Sequence, residues 1–284
     1  MPVKSVKNCC AHNIPVALVT GANGGIGKRI SRELISNGYR VILSYRRSER
    51  ALAFYHSLRQ EYGTERVDCL EMDLSSVSSI KAAVQLLIEK ETRIDVLVNN
   101  AGMLGHKPEV SPEGYEMHNM VNCFGPMLFT WLVKPLLHRG SRVVTTVSLV
   151  LFYASIPDHF PYPSRKFNRF RQYECSKLAL TLLCLCLANK WEEEGITLNM
   201  VDPGIVDTPI IKLHKWVDPL ADKLFRPFIR SPEKGAATSV FLSCDSSLNG
   251  ITGTLYKDKK VRYLPERITN HPFADKIWHL LLEL

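Results

Sequence analysis

The chain has 284 residues, with 36 Lys or Arg and 28 Asp or Glu, which gives a formal net charge of +8 at pH 7. A composition that is 45% hydrophobic and 23% charged is typical of a globular protein and excludes wholesale disorder. The longest apolar run, residues 178–188, is about half the ~20 residues that a membrane-spanning helix needs. Residues 1–20 lack the apolar core and cleavage site of a signal peptide, so we expect a soluble, cytoplasmic protein.

The cysteines and the basic residues also limit the function classes. The eight cysteines form no Cys-x-x-Cys pair and no zinc-type spacing with histidine, so we predict free thiols and no metal site. The basic residues are concentrated in 159–173 and 208–232, but no nucleic-acid-binding signature accompanies them, and we expect no nucleic-acid partner. A solvated face, a phosphorylated cofactor or an anionic membrane surface would account for the charge, and we do not favour membrane contact.

Short apolar segments alternate along the chain with amphipathic ones. The first predicted strand, 16–19, leads into a Gly-rich turn and a helix that has Ile26, Ile30 and Leu34 on one face and stops at 37–38. Further strands are predicted at 41–43, 67–72, 94–98, 143–147 and 196–201, with helices at 48–62, 76–90, about 113–137 and about 171–194.

This alternation predicts right-handed βαβ crossovers and a parallel sheet with helices on both faces. We therefore expect a Rossmann-type, doubly wound α/β fold as a single domain at 14–264, with an N-terminal arm at 1–13 and a C-terminal extension at 265–284. Two irregular insertions, 149–170 and 208–231, should lie beside the carboxyl ends of strands, where open α/β sheets bind their ligands.

The Gly-rich turn at 20–27 stands between the first strand and the first helix. Glycines allow a tight turn there and let a pyrophosphate approach the backbone amides of the helix N-terminus. The residues that we expect to contact a dinucleotide are Gly21, Asn23, Gly25, Ile26 and Gly27.

The second strand ends in Arg46 and Arg47 and carries no acidic residue at that point. An acid would accept the ribose 2′-hydroxyl of NAD, whereas an arginine accommodates a 2′-phosphate. Arg46 therefore favours NADP(H) over NAD(H), with Arg47 as a second candidate and a solvated surface arginine as the alternative interpretation.

Two further strand ends carry candidate cofactor residues. Asp73 and Leu74 follow the third strand, and Asp73 would either bind an adenine amino group or cap the next turn. Asn100, Ala101 and Gly102 follow the fourth strand, at the same predicted edge of the sheet.

A third group of residues carries acid–base chemistry. Tyr173 and Lys177 are four residues apart, so they project from one face of the predicted helix. A phenol with a pKa near ~10 is a poor acid–base group at neutral pH, and we expect the Lys177 ammonium to lower the pKa of Tyr173. Ser148, just after the fifth strand, would hydrogen-bond the oxygen on which charge develops.

These motifs together resemble the short-chain dehydrogenase/reductase family across residues 14–264. The resemblance implies hydride transfer at nicotinamide C4, with Tyr173 as general acid/base, Lys177 on the nicotinamide ribose and Ser148 orienting a carbonyl. It also implies that Asn122 supports a proton relay. The segment 203–208 looks like the family motif that contacts the nicotinamide end, with Pro203, Gly204, Val206 and Thr208 as its residues.

A finer resemblance is to the retinol-dehydrogenase-like branch. It rests on the long separation of Ser148 from Tyr173, on the segments 231–236 and 253–256, and on Arg46. The branch implies an apolar carbonyl or alcohol substrate of retinoid, steroid or aldehyde type. A sensor that binds NADPH without turnover, or a reductase of activated C=C bonds or sugar-type substrates, remain the alternatives.

Several segments have more than one interpretation. The aromatic side chains of 149–170 would either line an apolar pocket or pack the insertion against the sheet, and the basic 208–231 segment would be a substrate lid or lie on a membrane. The apolar stretch 277–282 would pack on its own chain or on another subunit, with membrane contact as the less favoured alternative. The long helices predicted at 113–137 and 171–194 would serve a homodimer, although their charges also permit a monomer.

Overall fold

The computed structural model describes residues 14–46, 48–206 and 230–284. The strands in these ranges are β1 (Val16–Thr20), β2 (Arg40–Tyr45), β3 (Val67–Glu71), β4 (Ile94–Asn99), β5 (Leu137–Thr146), β6 (Thr197–Asp202), β7 (Leu255–Lys257) and β8 (Lys260–Arg262). They form one sheet in the order β3-β2-β1-β4-β5-β6-β7-β8, in which only β8 is antiparallel to its neighbour. The predicted doubly wound, largely parallel sheet is confirmed.

Helices cover both faces of this sheet, so the central strands β1 and β6 are buried at every position. Side-chain caps from Ser48, Ser76, Asn168 and Ser231 start four of the helices by accepting backbone N–H bonds. The helices of the described ranges are α1 (Gly25–Ser36), α2 (Glu49–Tyr62), α3 (Val77–Lys90), α4 (Met117–Asn119), α5 (Gly125–Leu132), α6 (Arg169–Trp191), α7 (Pro232–Cys244), α8 (Glu266–Thr269) and α9 (Ala274–Leu282).

Two apolar layers result, one on each face of the sheet. The layer under α3, α5, α6 and α9 includes Ile80, Phe129 and Leu183. The layer under α1, α2 and α7 includes Ile30 and Leu58. Because each of the strands β1 to β7 contributes to both layers, the sheet has no solvated face at its centre.

The helix predicted at about 113–137 exists but is shorter and less regular, since helical structure runs from Met117 to Leu132. A π-helical segment, Met120–Phe124, joins α4 to α5, and the chain leaves α5 through a short 3₁₀ turn before β5 begins. Pro126 has no N–H for an α-helical bond, and Pro135 stops the helix from continuing. Apolar periodicity does not register either interruption.

The order of the strands creates one crevice at the carboxyl edge of the sheet. The chain passes from β1 outward to β2 and β3 and then returns to form β4 on the other side of β1. The connections after β1 and β4 therefore diverge, and open α/β sheets bind ligands at such a point.

The C-terminal segment packs on the chain's own helices. Ile277 and Leu281 of α9 are buried, and the Trp278 ring meets Trp131 edge-on at 5.3 Å between centroids. Lys190 of α6 lies over the same ring, 4.8 Å from its centroid. The apolar stretch 277–282 thus covers the surface between α5 and α6. Within the described ranges, every helix is too short or too polar to cross a bilayer.

Candidate active site

The glycine turn between β1 and α1 packs directly against the end of β4. Gly21 has a φ of +62°, and a Cβ there would lie 2.8 Å from the Ala101 Cα. A Cβ on Gly27 would lie 2.3 Å from the Gly21 carbonyl oxygen and 2.8 Å from Asn100 Nδ2. Gly21 is therefore required by its conformation and its packing, and Gly27 by its packing.

Thr20 and Asn100 lock this contact with hydrogen bonds. The Thr20 hydroxyl accepts from the N–H groups of Asn100 and Ala101 at 3.0 and 3.1 Å. Asn100 Nδ2 donates to the carbonyl oxygens of Thr20 and Gly21 at 3.0 and 3.3 Å. Asn100 thus holds the turn in shape, and Thr20 is a site residue that sequence reasoning missed.

The turn lines a cleft of about 640 Å³ at the crevice between β1 and β4. Its wall also includes Met103, Glu109, Met117 and Val121, which no sequence motif marked. Most of the predicted cofactor residues line this one cleft, namely Gly21, Asn23, Gly25, Ile26, Gly27, Arg46, Asp73, Leu74, Asn100, Ala101 and Gly102.

The start of α1 leaves its backbone N–H groups available to the cleft. Its N-cap, Gly24, makes no side-chain cap, and the first turn holds no acidic residue. Unsatisfied N–H groups at a helix N-terminus carry a partial positive charge that suits a phosphate. The turn, the helix end and the cleft together fit the pyrophosphate of a dinucleotide.

Arg46 and Asp73 lie on the wall of the same cleft. The Arg46 side chain is exposed at the end of β2, while Arg47 lies outside the described residues. Asp73 Oδ1 accepts hydrogen bonds from the Ser75 N–H at 2.9 Å and the Ser75 hydroxyl at 2.7 Å. Asp73 therefore caps its turn while it also borders the cleft.

Ser148, Tyr173 and Lys177 come together beyond the carboxyl end of β5. Tyr173 and Lys177 share one face of α6, with the Lys177 Nζ 5.7 Å from the centre of the phenol ring. The same Nζ donates to the Thr146 carbonyl oxygen at 2.9 Å, and the Ser148 hydroxyl hydrogen-bonds the phenol. The structure thus brings the three predicted acid–base residues into one cluster.

The electrostatics of this cluster differ from the sequence expectation. Burial raises the pKa of Tyr173 to about 12; the Ser148 hydrogen bond opposes this rise, and the charge of Asp202 adds to it. Burial also lowers the pKa of Lys177 to about 8. The prediction that Lys177 lowers the pKa of Tyr173 is wrong, because loss of solvation dominates and the ammonium is directed at a backbone carbonyl.

Asn122 connects the cluster to the cleft. Its Oδ1 accepts from the Met103 N–H at 2.7 Å, and its Nδ2 donates to the Met103 carbonyl at 3.0 Å and to the Ser176 hydroxyl at 3.1 Å. A Cβ on Gly102 would lie 3.4 Å from Asn122 Oδ1 and 3.7 Å from Lys177 Nζ. The cleft wall at Gly102 therefore directly adjoins the acid–base cluster.

The predicted nicotinamide motif is described only in part. Pro203, Gly204 and Val206 follow β6 but are not among the residues that line the cleft. Val206 is buried, and its Cγ2 lies 2.7 Å from where a Cβ on Gly235 would stand. Thr208 and the insertion from 208 to 229 lie outside the described residues.

Asp202 is a buried carboxylate that sequence reasoning passed over. Its Oδ1 accepts from the Leu149 N–H at 3.2 Å, and its Oδ2 lies 3.3 Å from the Lys257 ammonium. The Asp202–Leu149 bond fixes the backbone directly after Ser148. The only local signal was an acid preceding a Pro-Gly pair at a strand end.

The aromatic side chains of the 149–170 insertion serve more than one purpose. Phe160 is buried and stacks on Phe124 at 5.8 Å between centroids, so it packs the insertion. Tyr162 meets Tyr115 edge-on at 5.5 Å. Tyr153, by contrast, is 87% exposed. Packing therefore accounts for Phe160 and Tyr162, whereas Tyr153 leaves an exposed aromatic side chain in this insertion.

Comparison with known proteins agrees with this geometry. The sequence profile of the family described as short chain dehydrogenase matches residues 15–216. Since that match covers more than half of the chain, the protein belongs to the short-chain dehydrogenase family, a family of oxidoreductases.

Its relatives place it in the retinol-dehydrogenase-like branch of that family. The chain is 35% identical to mouse retinol dehydrogenase 14 over 280 residues, which cover 93% of this chain and 83% of the relative. It is 31% identical to human retinol dehydrogenase 12, covering 95% of this chain and 85% of the relative. Among solved structures, the Pseudomonas aeruginosa RhlG/NADP complex is 28% identical, with a TM-score of 0.69, covering 86% of this chain and 94% of that one.

Proposed function

We propose that this protein is an NADP(H)-dependent oxidoreductase that moves a hydride between nicotinamide C4 and the carbon of an apolar carbonyl or alcohol. The observation that carries the proposal is the cluster of Ser148, Tyr173 and Lys177 beside the glycine-turn cleft, joined to it at Gly102. A dinucleotide site and an acid–base group at one edge of the sheet are what a carbonyl reductase requires.

The chemistry of reduction divides between cofactor and protein. When bound, the reduced nicotinamide supplies a hydride to the carbonyl carbon. The Tyr173 phenol, which its raised pKa of about 12 keeps protonated at neutral pH, donates its proton to the carbonyl oxygen. The Ser148 hydroxyl hydrogen-bonds that oxygen as charge develops on it. Oxidation of an alcohol runs through the same groups in reverse.

Lys177 and Asn122 support the proton donor. The Lys177 ammonium lies over the phenol ring, 5.7 Å from its centre, and would hold the nicotinamide ribose. Asn122 holds Met103 at the wall of the cleft and contacts Ser176, on the helix that carries Tyr173 and Lys177. Both residues therefore act between the cofactor cleft and the phenol.

Two observations support the choice of cofactor and substrate class. Arg46 borders the cleft at the end of β2, where a 2′-phosphate would be neutralised. The RhlG complex, whose fold this chain shares, is described with NADP. Relatives named as retinol dehydrogenases favour an apolar alcohol or carbonyl as the substrate.

The experiment that tests the proposal follows NADPH absorbance with a panel of retinal, steroid ketones, medium-chain aldehydes, quinones and sugar-like ketones, with NADH in parallel. We expect turnover with NADPH on apolar carbonyls. Tight NADPH binding without turnover on any substrate would favour the sensor alternative. Product analysis would separate carbonyl reduction from reduction of an activated C=C bond.

A further inference from the structure

Glu116 and His118 form a buried titratable pair that the proposed reaction does not use. Both side chains are almost completely inaccessible to solvent. The imidazole Nδ1 lies 2.7 Å from Glu116 Oε1, and Glu116 Oε2 accepts from the N–H groups of His118 and Asn119 at 2.9 and 3.2 Å. A buried carboxylate and a buried imidazole both need hydrogen-bond partners, and both ring nitrogens and both carboxylate oxygens have partners here.

The partners fix a single tautomer of His118. The Gly105 N–H donates to His118 Nε2 at 2.9 Å, so this nitrogen must be unprotonated. The Nδ1 then carries the proton and donates it to Glu116, which offers only acceptors as a carboxylate. Glu116 therefore sets the state in which His118 accepts from Gly105.

The segment held in this way is a wall of the cofactor cleft. Gly105 lies two residues beyond Met103, which lines the cleft. Met103 is held by Asn122, a residue one helical turn after His118. A Cβ on Gly105 would lie 3.4 Å from His118 Cε1, so the backbone approaches the ring closely. His118 and Asn122 thus fix consecutive parts of the segment that follows β4.

Residues 116–119 also hold the 149–170 insertion, on the other side of the site. The N–H of Glu116 and the amide of Asn119 both donate to the Pro161 carbonyl, at 3.0 and 3.1 Å. The His118 ring lies 6.0 Å from the Phe167 ring. The pair therefore sits where the 149–170 insertion and the wall after β4 meet.

We propose that Glu116 and His118 are positioning residues for the dinucleotide: they hold segment 102–105 against the cleft through one imidazole tautomer. This inference rests on the proposed function. Loss of the acceptor for Gly105 leaves a partly buried N–H unpaired and releases this wall, while Ser148, Tyr173 and Lys177 keep their contacts. Weaker binding of NADPH, with a smaller fall in kcat, is the consequence.

Two substitutions of His118 separate the two ring nitrogens. In His118→Gln the amide oxygen reaches the position of Nε2 and can accept from Gly105. In His118→Asn the shorter amide matches Nδ1 and can donate to Glu116, but it offers Gly105 nothing. His56→Asn, on the exposed face of α2, is the matched control.

We expect His118→Asn to raise the Kd for NADPH, measured by fluorescence titration, about tenfold, with His118→Gln between it and the wild type. Hydrogen exchange of a peptide covering 102–106 should quicken in His118→Asn and much less in His118→Gln. The His56→Asn variant should match the wild type in both measurements.

Equal Kd values for the wild type and both folded His118 variants would overturn the inference. The inference would also be overturned if NADPH binding weakened in both His118→Gln and His118→Asn only in proportion to their loss of unfolding temperature, because that would be a purely structural effect. If His118→Asn does not fold, Glu116→Gln takes its place, because its carboxamide no longer offers two acceptor oxygens to the imidazole and to the N–H groups of His118 and Asn119. Unchanged exchange at 102–106 in Glu116→Gln would also overturn the inference. Failure of the wild type to bind NADPH would instead remove the proposed function, and this inference with it.

Discussion

Asp202 places a buried negative charge near the phenol that we propose as the proton donor. Burial is the main cause of the raised pKa of Tyr173, and the charge of Asp202 adds to it against the Ser148 hydrogen bond. Because a nearby anion disfavours the phenolate, removing this charge should lower the pKa of Tyr173. Asp202 therefore tunes the pKa of the proposed proton donor through its charge.

We expect Asp202→Asn to move the alkaline limb of the pH profile of kcat/KM for carbonyl reduction toward lower pH. Reduction needs the protonated phenol, so activity is lost as pH rises through the pKa of Tyr173. The asparagine oxygen can still accept from the Leu149 N–H, which keeps the backbone after Ser148 in place. Asp258→Asn, which removes an exposed carboxylate paired with Arg230, is the control, and a limb that stays in place would contradict this account.

Lys177 carries its function at the expense of stability. Burial lowers its pKa from 10.5 to about 8, so below pH 8 the folded state holds a charge that it disfavours. Lys177→Met should abolish turnover, yet raise the free energy of unfolding at pH 7 by about 1–3 kcal/mol relative to the wild type.

The stability advantage of Lys177→Met should be constant below pH 8 and should decrease above it. Between pH 8 and 10.5 the unfolded chain binds more protons at this lysine than the folded one, so the wild type gains stability as pH rises. The advantage of Lys177→Met should therefore shrink across that window in urea titrations. Lys90→Met, on the exposed end of α3, should show no such trend.

Arg46 is the residue on which the coenzyme choice depends. If its guanidinium neutralises a 2′-phosphate, Arg46→Ser should raise KM for NADPH roughly tenfold or more and change KM for NADH little. The control is Arg262→Ser, which removes an arginine of β8 at the far edge of the sheet. Unchanged KM values for both coenzymes would show that Arg46 is a solvated surface residue, and equal increases for both would exclude a contact with the 2′-phosphate.

At the scale of elements, α9 supplies a test of how the C-terminal segment is held. Leu281 is buried in the layer with α5 and α6, whereas its neighbour Leu282 is 48% exposed. We expect Leu281→Ala to lower the free energy of unfolding by about 2–4 kcal/mol, because it opens a cavity. Leu282→Ala should change it by less than about 0.5 kcal/mol. Equal effects in denaturant titrations would mean that α9 does not pack as described.

The elements also show what local sequence signals can and cannot predict. The turn at 20–27 and the Tyr173–Lys177 pair were predictable because their spacing alone sets their geometry. The π segment was not, since an apolar face continues through it unchanged. The role of Glu116 and His118 depends on contacts with Gly105 and Pro161, which only the tertiary fold creates.

At the scale of the whole molecule, alternating apolar strands and amphipathic helices were enough to predict the doubly wound sheet. The fold then gathers groups from separate elements, with the glycine turn after β1, Arg46 after β2, Ser148 after β5 and Tyr173 on α6 at one edge. The positions of these groups, each at a strand end or on a helix, could be predicted directly from the sequence. The electrostatic result could not, because the pKa of Tyr173 depends on how fully the assembled fold buries it.

The most direct test of the account compares wild-type protein with Tyr173→Phe, in NADPH turnover on the apolar carbonyl panel and in NADPH binding. The phenylalanine keeps the ring and removes only the hydroxyl, so the fold and the cleft should remain. We predict that turnover falls by about a thousandfold or more while the Kd for NADPH stays within about threefold. Turnover that survives in Tyr173→Phe would contradict the assignment of Tyr173 as the proton donor.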